Sequence, residues 1–297
     1  MCKDLLREQI SGHTGLTALL GHPVSHSLSP LMHNEAFRLL SLDYVYLCFD
    51  VDEHNLEEAV RGLKACGIRG FNLTMPNKNR MAELADSLSP AASMTGAVNT
   101  VVNDNGRLTG HNTDGVGFLR ALKESGFDIC GKRMTILGGG GAASAICAQA
   151  ALDGAEEITV VSRPSSRFHE RTMLLLERIC RETTCRAGRI DSDDRSALQS
   201  ALDRSDLLVN ATPVGMTPDE GVSPLPDDVS LHPGMTAADI IYQPRETLLL
   251  RKAKEAGCRT MNGLYMLLYQ GAEAFRLWTG QEMPVNAMSI RRIFDSK

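Results

Sequence analysis

Two rhythms of apolar and polar positions run along the chain. Short apolar runs alternate with stretches whose apolar residues recur at helical spacing. Thr17–Gly21 is expected to be a strand, followed by a loop and a helix near Pro30–Leu40. Tyr44–Val51 reads as a second strand, Leu56–Cys66 as a helix and Arg69–Thr74 as a third strand. The rhythm restarts at Met134: a strand over Met134–Leu137, a turn over Gly138–Gly141, an alanine-rich helix over Ala142–Gly154 and a strand over Ile158–Ser162. Leu207–Asn210 and Ala237–Ile241 read as two more strands, and Tyr265–Thr279 as an amphipathic helix. Strands alternating with helices imply an α/β fold, with largely parallel sheets covered by helices. The restart implies two domains joined tightly near Asp114–Gly117. The first spans 1–113, is parallel or mixed, and is completed by 264–297; the second spans 114–263 and is doubly wound.

Composition narrows the class. The 297 residues suffice for two domains with separate cores. Hydrophobic residues at 43% and charged residues at 23% are ordinary for a globular protein. A net charge of -5 argues against a broad nucleic-acid surface. It leaves room for a local basic pocket that takes a small anion. Charges break the opening Met1–Glu8 too soon for a signal peptide, and no apolar run approaches the roughly 18 residues of a membrane span. Cysteines stand at 2, 48, 66, 130, 147, 180, 185 and 258 with no CxxC pair. Free thiols in a reducing, cytoplasmic setting are the expectation. His22, His26 and His33 lie near one another without an HExxH or Cys/His cage, so no metal is expected.

The glycine turn carries the first chemistry. Gly138, Gly139, Gly140, Gly141, Ala142 and Ala143 fit G-x-G-x-x-A directly after a strand and at the start of a helix. Glycines let the backbone approach a pyrophosphate, and the helix N-terminus offers free N–H groups and partial positive charge. A Rossmann-like NAD(P) domain follows. NAD sites place an acid at the end of the next strand to bind the ribose 2′-hydroxyl. This chain has Ser162, Arg163, Pro164, Ser165, Ser166 and Arg167 there, and no acid until Glu170. Guanidinium forks match phosphate geometry, so NADP is expected, with NAD as the second candidate.

Four polar clusters accompany the first unit: Ser25-His26-Ser27-Leu28-Ser29-Pro30, Asn72-Leu73-Thr74-Met75-Pro76-Asn77-Lys78, Gly96-Ala97-Val98-Asn99-Thr100 and His111-Asn112-Thr113-Asp114-Gly115. Each alone is compatible with helix caps and turns. The first two follow strands, where open α/β sheets bind ligands. In this order, ahead of the glycine turn and with Met266–Ala272 near the C-terminus, they resemble the shikimate/quinate dehydrogenase family along essentially the whole chain. Asn105–Leu108, Glu124–Asp128 and Leu277–Gly280 resemble the quinate/shikimate paralog that accepts both substrates and both cofactors. The cofactor loop instead resembles the NADP-dependent branch. The paralog has an acid where Ser165 stands, and arginines where Arg163 and Pro164 stand.

The resemblance implies roles residue by residue. Ser27 and Ser29 match hydroxyls that hold a substrate carboxylate. Asn72, Thr74, Asn99 and Gln270 match groups that hydrogen-bond ring hydroxyls, and Tyr242 a tyrosine near the carboxylate. Lys78 and Asp114 match the catalytic pair; Ile240 and Gly263 match backbone positions near the nicotinamide. The implied activity is reversible NAD(P)-dependent reduction of 3-dehydroshikimate to shikimate in the chorismate pathway to aromatic amino acids, by a monomer or homodimer. Lys78 would exchange the alcohol proton. Quinate as main substrate, or a ligand-sensing homologue without catalysis, are the alternatives. The last would require loss of Lys78 or Asp114, and both are present.

Overall fold

The structure is a computed structural model and describes residues 10–287. The opening Met1–Glu8, Cys2 and the end of the expected 264–297 segment lie outside the described residues. The chain forms two compact units: residues up to Asn112 with those from Gly271 on, and Thr113–Gln270.

In the first unit, β1 (Gly15–Gly21), α1 (Ser29–Leu39), β2 (Tyr44–Asp50), α2 (Leu56–Ala65) and β3 (Gly70–Leu73) follow the expected rhythm to within two residues. Then come α3 (Lys78–Leu84), β4 (Ser87–Leu88), α4 (Pro90–Thr95), β5 (Thr100–Asp104) and β6 (Arg107–His111). The strand order is β2-β1-β3-β5-β6-β4. β1 pairs in parallel with β2 and β3, whereas β5 runs antiparallel to both β3 and β6. The sheet is therefore mixed, one of the two forms expected for this domain. The turn from β5 into β6 is a tight hairpin: Asn105 and Gly106 both take positive φ, at 52° and 90°, as a two-residue turn between strands demands.

In the second unit, α5 (Asp114–Glu124) precedes β7 (Arg133–Leu137), α6 (Gly141–Leu152), β8 (Glu157–Ser162), α7 (His169–Glu182), β9 (Arg186–Asp191), α8 (Arg195–Leu202), β10 (Leu207–Asn210), β11 (Thr236–Asp239), α9 (Leu248–Glu255) and β12 (Arg259–Met261). The order β12-β11-β10-β7-β8-β9 is wholly parallel and doubly wound from β7. Its core includes Leu137, Val161, Leu198, Leu208, Ala237 and Leu249. β11 stops at Asp239, two residues short of expectation, because the Asp239 carboxylate accepts the Ile241 N–H at 2.9 Å and turns the chain.

α10 (Leu264–Thr279) begins in the second unit; from Gly271 on it packs within the first. A Cβ at Gly271 would overlap the Met32 side chain, and Trp278 donates its indole N–H to the Val101 carbonyl at 2.9 Å. Phe37, Tyr46, Phe275 and Trp278 surround His33, which stacks on Tyr46 with ring centroids 4.5 Å apart. Complete burial of a ring such as Phe275 contributes about 1.5–3 kcal/mol. His33 is fully buried with neither ring nitrogen hydrogen-bonded, and burial pushes its pKa down to about 3. It is packed there as a neutral ring.

Candidate active site

The first group of polar residues gathers at the carboxyl ends of β1 and β3. The loop after β1 delivers Ser27 and Ser29 to the start of α1, where Pro30 suits the first turn and the Ser29 N–H donates to Ser27 Oγ at 3.2 Å. Free backbone N–H groups and two hydroxyls at a helix N-terminus suit a carboxylate. Tyr46 and Cys48, on β2, stand beside them. The Tyr46 hydroxyl is hydrogen-bonded to Ser29, yet burial drives its pKa well up; burial likewise raises the Cys48 thiol against its bond to Ser27. Tyr46 therefore keeps its proton and donates it to Asn72 Oδ1 at 2.8 Å.

That hydrogen bond fixes the Asn72 amide. Its Nδ2 donates to the Asn99 carbonyl at 3.1 Å and to Thr100 Oγ1 at 2.9 Å, and Thr100 Oγ1 donates to Asn99 Oδ1 at 3.1 Å. Asn72 is thus committed as a donor within the protein; a ring hydroxyl can still donate to its second Oδ1 lone pair. Thr74 follows β3 closely against β1, since a Cβ at Gly21 would overlap its methyl group. Asn77, buried, donates to the Val51 carbonyl at 2.8 Å and leaves its Oδ1 without a hydrogen bond. Lys78, half-buried, is the first residue of α3, and its carbonyl accepts the Val98 N–H at 2.8 Å. The structure therefore brings Ser27, Ser29 and Asn72 into one polar chain with Asn99, and ties the start of α3 at Lys78 to the segment that leads through Asn99 into β5. Tyr46 and Cys48 are not singled out by the sequence, and Thr100 stands there only as the end of the cluster Gly96–Thr100, with no role of its own. An aromatic or a threonine in a strand is ordinary, and only the fold shows where its hydroxyl goes.

The second group lies in the other unit. Gly138 has φ 104°, closed to ordinary side chains, and its N–H bonds the Val161 carbonyl at 2.8 Å. A Cβ at Gly139 would stand 2.6 Å from Thr172 Oγ1. Gly140 caps α6 with no side chain, so the first N–H groups of the helix stay open to a ligand beside them. Gly141 is exposed, Ala142 half-buried and Ala143 buried. This cradle fits a dinucleotide pyrophosphate.

Beyond β8, Arg163, Ser165 and Arg167 are exposed, while Ser166 Oγ accepts the Phe168 N–H at 3.2 Å. The Arg167 guanidinium lies 4.7 Å from the Phe168 ring centre. Two exposed guanidiniums and two hydroxyls fit a phosphate monoester. Ser162 is buried and takes two hydrogen bonds from Arg189 of β9, which sequence reading missed because Arg186–Asp191 has too few apolar residues to read as a strand.

At the ends of β10 and β11, buried Asp239 accepts from Asn210 Nδ2, from the Ile241 N–H and from Thr247 Oγ1 at 2.8–3.2 Å. Burial pushes its pKa up, against these three donors. The network holds the turn at Ile240. A Cβ at Gly263 would overlap the Ile240 carbonyl oxygen, so these two backbone positions are brought into contact. Tyr242, in the same loop, is exposed. Asp114 is the first residue of α5, and Gln270 lies on α10, where its Nε2 donates to the Leu267 carbonyl at 3.0 Å. A Cβ at Gly117 would overlap the Gln270 backbone. Among the described residues no group of three or more His, Cys, Asp or Glu could hold a metal, and no helix is long and apolar enough to cross a membrane.

Residues 19–101 match the family model of the shikimate dehydrogenase substrate binding domain, and 263–289 that of the shikimate 5'-dehydrogenase C-terminal domain. A shikimate dehydrogenase (NADP(+)) of Listeria innocua is 51% identical over 281 residues, 95% of this chain and 96% of that protein. The crystal structure of shikimate 5-dehydrogenase from Listeria monocytogenes in complex with shikimate and NAD is 50% identical, with a TM-score of 0.93 over 97% of this chain and 98% of that one. The Thermus thermophilus enzyme in complex with NADP(H) and shikimate is 38% identical, with a TM-score of 0.79 over 94% of this chain and 100% of that one.

Proposed function

Because this chain belongs to the shikimate dehydrogenase family, we propose that it interconverts 3-dehydroshikimate and shikimate with NADP as its cofactor. The observation that carries the reading is the polar chain Ser29–Tyr46–Asn72–Thr100–Asn99 at the carboxyl ends of β1 and β3, with Lys78 opening the helix that follows β3. In this reading most substrate contacts come from the first unit and the cofactor contacts from the second. The N-terminus of α1 with Ser27 and Ser29 takes the carboxylate. Asn72, Thr74, Asn99 and Gln270 orient the ring hydroxyls, and Tyr242 serves the carboxylate.

NADP, when bound, accepts or returns the hydride. The protein handles the proton. Lys78 Nζ takes the proton released from the oxidised hydroxyl and returns it in the reverse direction. Asp114 is assigned with it as the second member of the catalytic pair. The N–H groups of the glycine turn take the pyrophosphate, Arg163 and Arg167 the 2′-phosphate, with Ser162 and Ser165 beside them. Ile240 and Gly263 flank the nicotinamide. Seven described cysteines, all free thiols, support work in the reducing cytoplasm.

Reduced-nicotinamide absorbance, followed with shikimate or quinate and with NADP or NAD, tests the assignment. Shikimate with NADP should turn over fastest. Preference for quinate or for NAD would overturn the corresponding half of the reading, and silence in all four combinations would leave a ligand-sensing homologue.

A further inference from the structure

The end of the second strand of a dinucleotide domain decides between a ribose 2′-hydroxyl and a 2′-phosphate, and an acid there favours the hydroxyl. No acid follows β8 in sequence before Glu170, but the fold supplies one from the next strand. Asp191 ends β9 in register with Ser162, the last residue of β8. Arg189, two residues earlier, shares its face of the strand. The Arg189 side chain is only 14% exposed and that of Asp191 33%. Arg189 Nε donates to Ser162 Oγ at 3.0 Å and Nη2 donates to the Ser162 carbonyl at 2.7 Å, with Nη2 lying 4.0 Å from Asp191 Oδ2.

We propose that Arg189 is a specificity-determining residue for NADP, acting through Ser162 and Asp191. The inference rests on the reading that the 163–167 loop receives the 2′-phosphate. Arg189 does two things there. By filling a lone pair of Ser162 Oγ, it leaves the serine's own O–H to donate, and a phosphate, which accepts at every oxygen, is the group that uses a donor. By lying beside Asp191, it offsets a carboxylate that the fold brings to the end of β8, which would otherwise repel a phosphate and favour a free hydroxyl. A fully solvated surface arginine would be screened and worth little. Arg189 is held by two hydrogen bonds in a mostly buried position, so its charge acts at a fixed place. A tie that only braced β8 to β9 would treat both cofactors alike.

Calorimetric titration with adenosine 2′,5′-bisphosphate and with adenosine 5′-monophosphate separates these roles, alongside the Michaelis constants for NADP and NAD. Arg189→Ala should weaken the bisphosphate about tenfold or more, the size of one lost charge-assisted hydrogen bond, and leave the monophosphate within about twofold. KM for NADP should rise in parallel while KM for NAD does not. Adding Asp191→Asn to Arg189→Ala should restore part of the bisphosphate affinity. Equal weakening of both nucleotides, or no change in either, would overturn the proposal. Should Arg189→Ala fail to fold, Arg189→Gln, which removes the charge and keeps a donor, is judged by the same criterion. The double variant Arg163→Ala, Arg167→Ala separates the two claims. If it binds the bisphosphate as wild type does, the loop reading itself fails. If it loses the bisphosphate while Arg189→Ala keeps the wild-type ratio, only the role of Arg189 fails.

Discussion

The ends of β1 and β3 and the end of β8 present polar groups of opposite character. In the first unit Tyr46, Asn72, Asn99 and Thr100 are buried and hydrogen-bonded to one another, with Ser29 joined to them. In the second unit Arg163, Ser165 and Arg167 are exposed on a loop, with Ser162 and Arg189 held behind them. A buried, mutually bonded set is organised before a ligand arrives, so each change in it leaves another polar group unpaired. An exposed charged loop can change residue by residue at little cost to stability. Substrate recognition should therefore be rigid and cofactor choice adaptable.

The largest expected effect is at Lys78. Lys78→Ala removes the group proposed to exchange the proton and should lower turnover about 100- to 10,000-fold while the fold survives, because the residue is half-buried at the first position of a helix. Steady-state turnover together with circular dichroism checks this; near-wild-type turnover would remove Lys78 from the mechanism.

Next comes the double change Arg163→Ala, Arg167→Ala. Each guanidinium–phosphate bond is worth about 1.5–3 kcal/mol, so KM for NADP should rise at least about tenfold with KM for NAD nearly unchanged. A proportional rise for NAD would mean that the loop does not read the 2′-phosphate.

Tyr46→Phe should act on the other region and more gently. It leaves Asn72 Oδ1 without its buried donor. The cost of about 1–3 kcal/mol should appear as a higher KM for shikimate, about five- to 150-fold. The KM for NADP should hold steady; a matched change in both would show that Tyr46 only supports the fold.

The smallest effect at neutral pH concerns His33. Its folded pKa is lowered to about 3 by burial, against 6.5 for an unburied histidine. Between those values the unfolded chain binds the proton and the folded chain does not. Stability should accordingly fall as pH drops below the unfolded value, by at most about 1.4 kcal/mol per pH unit for this group. His33→Phe, an aromatic of similar shape among four aromatic neighbours, should lose this sensitivity. Urea unfolding at about pH 7 and about pH 5 should show a gap between variant and wild type that widens by about 2 kcal/mol. An unchanged gap would mean that His33 takes up a proton while folded.

Legibility in the sequence divides along physical lines. Strands with buried faces, such as β1 and β7, and the glycine turn were readable, because an apolar run and a ligand-cradling turn leave strong local marks. β9 was not, because its residues Arg186-Ala-Gly-Arg-Ile-Asp belong to an edge strand that is mostly half-exposed, and with it Arg189 and Asp191 were hidden. The β5–β6 hairpin carries a readable signal in Asn105-Gly106, two residues that accept the positive φ of a two-residue turn. Ser27, Ser29 and Lys78 stood out through their loop context. Tyr46 did not, since its role depends on a hydrogen bond to a residue 26 positions away.

The division of labour between the two regions can be measured directly. Wild type, Ser27→Ala with Ser29→Ala, and Arg163→Ala with Arg167→Ala would each be titrated calorimetrically with shikimate and, separately, with NADP. The serine variant should lose about tenfold or more in shikimate affinity and keep its NADP affinity, and the arginine variant should do the reverse. If either variant lost both ligands by similar factors, the assignment of substrate to the first unit and cofactor to the second would be contradicted.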